Sequence, residues 1–94
     1  MVKLFVVVAY DIPSDRVRTR VCNELKSFGS HVQLSVFECV LSEAKYQEMK
    51  ERLEELIEGE EALVRFYKMC QACVERSELI GCGEFAHDVD IYVA

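Results

Sequence analysis

Phe5-Val6-Val7-Val8-Ala9-Tyr10-Asp11-Ile12 is a run of aromatic, β-branched and small apolar residues broken by one carboxylate. That composition is expected of a strand buried on both faces. Pro13 and a helix start follow directly. A carboxylate at the mouth of an apolar strand is costly to desolvate unless something pairs with it or coordinates it. Two readings of Asp11 stand side by side. It caps the turn before the helix, or it serves a ligand or a reaction, since such groups favour strand ends in α/β layers.

Ninety-four residues make one domain, read here as residues 1–94. Half of them are apolar, enough for a core, but a chain this short gains from pairing with a copy of itself. No segment is long and apolar enough for a membrane span. The run from Leu4 to Ala9 is also too short for the core of a signal peptide, so a cytoplasmic protein is expected. Five cysteines, an odd number without a secretion signal, suggest reduced thiols and not a disulfide framework.

The net charge of −6 argues at first against nucleic acid, but its distribution changes that view. Residues 1–42 carry five basic and four acidic groups, whereas residues 43–61 carry eight glutamates against three basic groups. The excess acid sits on one segment, and the N-terminal half is free to present a basic patch.

In chain order, the first strand spans about Lys3 to Tyr10, and Ser14 or Asp15 caps a helix running to about Phe28. Val17, Val21, Leu25 and Phe28 form its apolar stripe, and Gly29 is expected to stop it. Arg16 and Arg20 share a face turned away from that stripe. Arg18 lies at the stripe's edge, from where its guanidinium can extend past the strand end toward Asp11. These arginines read as an internal ion pair and a solvated face, or as phosphate contacts.

Two short antiparallel strands are expected next, at about His31–Leu34 and Val36–Leu41, with a tight turn or bulge near Ser35. Neither face of the second is purely polar, so it is expected to be covered on both sides or by a partner. Ser42 caps a second helix whose stripe is Tyr46, Met49, Leu53, Leu56 and Ile57, ending near Gly59. Its glutamates read as a solvated face, not a metal site. A fourth strand spans about Ala62–Met69.

The order βαββαβ is the ferredoxin-like arrangement, an α+β fold with an antiparallel sheet. Its core occupies about residues 1–69, and residues 70–94 form an extension. Strand character at 77–81 and 89–93 suggests a C-terminal strand that covers an open sheet edge, favoured here as that of a second copy. Cys70 and Cys73, with Cys82 and His87 downstream, have the makings of a zinc site, but only the first pair has fitting spacing. Structural thiols are the preferred reading. Cys22 and Cys39 fall inside elements and read as core.

Three blocks carry a resemblance. Tyr10-Asp11-Ile12 ends the first strand, and Arg16-x-Arg18-x-Arg20-Val21 opens the helix. Gly29 through Val32-Gln33-x-Ser35-Val36-Phe37-Glu38 follows. In this order and spacing the chain resembles the small CRISPR-associated adaptation protein family called Cas-two. The resemblance implies a ferredoxin-like homodimer with the first-strand aspartates facing each other. It also implies a metal-dependent endonuclease acting on RNA or DNA, and an integrase partner, called Cas-one, in the capture of new spacers. Carried over by position, Asp11 is the metal-binding and catalytic residue, and Arg18 and Arg20 match positions around its cleft; with Arg16 and His31 they are the candidate nucleic-acid contacts. Tyr10 and Phe37 support the cleft. His31 stands where many relatives have arginine, replacing a permanent charge by a group that titrates near neutral pH.

Magnesium suits such a site, because it takes one or two carboxylates and keeps several waters. A single Asp11 is a poor site, and two related by a dimer axis an adequate one. The competing reading is a non-catalytic dimeric scaffold that holds DNA and bridges integrase subunits. A toxin-like ribonuclease and a generic regulatory domain are weaker alternatives.

Overall fold

A computed structural model describes residues 3–69, 74–76 and 78. The apolar run becomes β1 (Lys3–Asp11), one residue longer than expected and continued through the carboxylate. There follow α1 (Asp15–Leu25), β2 (Gly29–Gln33), β3 (Val36–Ser42), α2 (Glu43–Ile57) and β4 (Leu63–Met69). The strands form one four-stranded antiparallel sheet in the order β2-β3-β1-β4. This is the expected α+β, ferredoxin-like βαββαβ layout, with both helices packed on one side of the sheet.

The alternation along β1 explains why its sequence is apolar at nearly every position. Val6, Val8 and Tyr10 join Val17, Val21 and Leu25 of α1, Phe37, Cys39 and Leu41 of β3, and Tyr46, Met49 and Leu53 of α2 in the main core. Each fully buried leucine or valine there contributes roughly 1.5–3 kcal/mol. The odd positions face away from the helices. Of these, Phe5 packs with Val7, Val40 and Met69 against Val74, and forms a second, smaller apolar cluster. Toward the other end of that face, Leu63 and Tyr67 are half exposed.

Both helix starts are set by serines, as their sequence positions imply. The Ser14 hydroxyl accepts the Val17 N–H, and the Ser42 hydroxyl accepts the Lys45 N–H. Gly59, at φ 77°, takes the left-handed turn that closes α2. Gly29 does not have the helix-stopping role expected of it. The helix ends at Leu25 with Lys26 as its cap, the chain turns through Lys26–Phe28, and Gly29 begins β2. Its glycine is required because a Cβ there would collide with the Glu38 carbonyl oxygen and the Cys39 sulfur of the paired strand. The β2–β3 hairpin turns at Leu34 and Ser35, and its register slips between His31 and Gln33, giving both the turn and the irregularity expected near Ser35. The C-terminal strands expected at 77–81 and 89–93 lie outside the described residues, Glu78 excepted, as do Cys70, Cys73, Cys82 and His87.

Candidate active site at the end of β1

Asp11 is the last residue of β1 and projects from the sheet face opposite the helices, on the side shared with Ala9, Val7 and Phe5. It is exposed, and among the described residues its carboxylate has no hydrogen bond or ion pair. Beside it lies a cavity of about 240 Å³ lined by Ala9, Tyr10, Asp11, Leu63, Arg65 and Tyr67. Among the described residues there is no cluster of three or more metal-ligating side chains. At this strand end the described residues of one chain therefore offer a divalent ion a single unshared carboxylate. That is still a suitable oxygen donor for magnesium, which leaves most of its shell to water.

The other residues singled out in the sequence fall on the helix side. Arg18 reaches the strand end, as its position implies, but not Asp11. Its guanidinium donates to the Ile12 carbonyl at 2.8 Å and pairs with Asp15. The nearer acid on its own helix turn, three residues back, wins over the strand residue on the far face. Arg16 pairs with Glu60 at 3.4 Å, tying α1 to the loop before β4. Arg20 is exposed, and no partner holds it among the described residues.

Tyr10, His31 and Phe37 form one anchoring unit for the hairpin. Tyr10 is buried, and its hydroxyl donates to the Leu34 carbonyl at 3.1 Å. The His31 ring stacks on Phe37 at 4.6 Å with planes 7° apart, and its Nε2–H donates to the same Leu34 carbonyl at 3.1 Å. Phe37 is fully buried, so it supports the strand end through packing and not as a cleft wall. Burial, and after it the neighbouring Cys22 thiol, pushes the Tyr10 hydroxyl up to about 12. At neutral pH Tyr10 is therefore a donor and not a base.

Two residues of the cavity escaped the sequence reading. Arg65 and Tyr67 read only as alternating positions of a strand. What places them is the β1–β4 register, in which Leu63 lies opposite Asp11, Arg65 opposite Ala9 and Tyr67 opposite Val7. Residues directly opposite share a face, and nothing local in the sequence shows that pairing.

The family described as CRISPR associated protein Cas2 matches residues 4–77. A protein of Synechocystis named CRISPR-associated endoribonuclease Cas2 3 is 46% identical over 63 residues, covering 67% of this chain and 68% of its own. The CRISPR-associated endonuclease Cas2 2 of Thermus thermophilus is 42% identical over 84 residues, 88% of either chain. Among solved structures, a hypothetical protein TT1823 from Thermus thermophilus superposes with a TM-score of 0.75 at 37% identity. That match covers 90% of this chain and 99% of the other.

Proposed function

Because the chain belongs to the CRISPR-associated Cas2 family, we propose that it is a magnesium-dependent endonuclease of RNA or DNA, working as a homodimer with an integrase partner in spacer acquisition. The observation that carries this reading is the Asp11 carboxylate. It ends a central apolar strand, points away from the helices and spends none of its oxygens on a described neighbour. The carboxylate is exposed beside Ala9 and Leu63, so it can take up an ion without first giving up a described protein partner.

The sheet face around it carries Val7, Ala9, Val36, Leu63 and Tyr67, none of them fully buried. A second copy laid on that face removes this apolar surface from water. It also brings two Asp11 carboxylates to one site, where a single one is too few. The ion, when bound, supplies positive charge against the phosphate and lowers the pKa of a coordinated water. Asp11 holds and orients that charge, and the exposed Arg20 on α1 extends a basic surface along which a nucleic-acid backbone can lie. Among the described residues no side chain at the site is an obvious general base, and Tyr10 stays protonated.

Single-turnover cleavage of labelled RNA and DNA, with and without Mg²⁺, tests this. Asp11→Asn is expected to slow metal-dependent cutting by roughly a thousandfold with fold and dimer unchanged. Cutting that persists in the variant, or is absent from the wild type, overturns the reading and leaves the non-catalytic DNA-holding scaffold.

A further inference from the structure

The face that carries Asp11 also carries a cation that no acid neutralises among the described residues. Arg65 lies opposite Ala9 in the β1–β4 ladder, one diagonal step from Asp11. Side chains so placed start about 7–8 Å apart, within easy reach of an arginine. Yet among the described residues Asp11 and Arg65 form no ion pair, and instead both line the same 240 Å³ cavity. Tyr67, on the same face two residues along β4, lines the same cavity, and as the neighbour of the guanidinium it raises the pKa of Arg65 above its ordinary value. Two arginines of α1 differ. Arg16 and Arg18 are engaged by Glu60, Asp15 and the Ile12 carbonyl, and their helix packs against the other face of the sheet.

A carboxylate and a guanidinium that share a cavity without meeting are complementary to one ligand: a phosphodiester accompanied by a cation. The cation satisfies the carboxylate, and the planar fork of the arginine takes two phosphate oxygens. We propose that Arg65 holds the phosphodiester at the Asp11 site, with Tyr67 as the residue that orients it. The assignment rests on the nuclease reading for its catalytic consequence but not for its binding consequence, and the two are separable.

Binding is read by fluorescence anisotropy of labelled single-stranded RNA and DNA over a range of salt, with the full chain in the Asp11→Asn background so that nothing is cut. Adding Arg65→Gln is expected to make the slope of log K against log[salt] shallower by about 0.7, one phosphate contact on a single strand. The RNA and DNA arms tell which backbone is held. In the otherwise wild-type chain, Arg65→Gln is expected to slow single-turnover cleavage about a hundredfold, and Arg65→Lys to recover part of that, having the charge without the fork. Tyr67→Phe is expected to slow cleavage several-fold alone and to add nothing in the Arg65→Gln background, since it acts through Arg65.

An unchanged salt slope overturns the proposal. So does a loss of dimer mass on size exclusion with light scattering, which makes Arg65 an interface residue. If the wild type cuts nothing while the slope still falls, the nuclease reading fails and the phosphate assignment stands. If the wild type cuts and Arg65→Gln cuts equally well, the assignment fails alone.

Discussion

Two buried acids of this chain, Tyr10 and Cys39, are held in their neutral forms by the fold. Burial, and then Cys22, pushes Tyr10 from 10.0 up to about 12. Burial, and then the charge of Glu38, pushes Cys39 from 9.0 up to about 12. In both the folded value lies above the unfolded one, so the stabilisation is complete below about pH 9 and is lost as pH rises toward 12. Urea midpoints are expected to fall across that window. Tyr10→Phe removes one titrating group and the bond to the Leu34 carbonyl. The variant should be about 1 kcal/mol less stable at pH 7, with a shallower alkaline decline than the wild type. A decline of equal depth would mean that Tyr10 is not part of it. Tyr10 was legible as a motif residue, but its face was not. Asp11, beside it, was conspicuous because it interrupts an apolar run, whereas Arg65 interrupts nothing in a strand of mixed character.

The secondary elements were legible where local chemistry sets them. Ser14 and Ser42 cap the helices, and the 3.6-residue stripes put Val17, Val21 and Leu25, then Tyr46, Met49 and Leu53, into the core. Gly29 shows where local reasoning fails. A glycine after a helical stripe resembles a helix stop, but this one is needed for the close approach of β2 to Glu38 and Cys39, a contact with the facing strand that the neighbours of Gly29 do not reveal. Gly29→Ala is expected to cost about 1–3 kcal/mol by pushing β2 off β3, read as a lower urea midpoint with the helix signal in circular dichroism retained. A neutral result would show that this edge pairing gives way freely.

At the scale of the described molecule, the acidic helix and the apolar sheet face lie on opposite sides. The glutamates of α2, including the exposed Glu51, Glu54 and Glu55, lie on the helix side of the sheet, and Val7, Ala9, Val36, Leu63 and Tyr67, none of them fully buried, lie on the opposite face. The glutamates of α2 thus lie away from Asp11, so the net charge of −6 does not by itself bar the anionic ligand proposed there. If the apolar face seats a second copy, a carboxylate placed at Val36, half-buried beside Ala9, must be desolvated on association. Val36→Glu is expected to halve the mass found by analytical ultracentrifugation while leaving the circular dichroism spectrum unchanged. A variant that stays dimeric would move the interface elsewhere.

Local pattern was enough for the strand and helix order, the cap residues, the apolar stripes and the one conspicuous carboxylate, because each follows from neighbours within a turn of helix or a few residues of strand. The ferredoxin-like layout follows from that order, since a strand, a helix and a returning hairpin leave few ways to cover a sheet. Register and layer are different in kind. Whether Arg65 stands on the same face as Asp11 depends on which residue of β4 pairs with which residue of β1, and a slip of one position would turn it to the helix side. That pairing is set by packing between segments fifty residues apart. The position of the charge could thus be read along the chain, while its companions emerged only when the strands met.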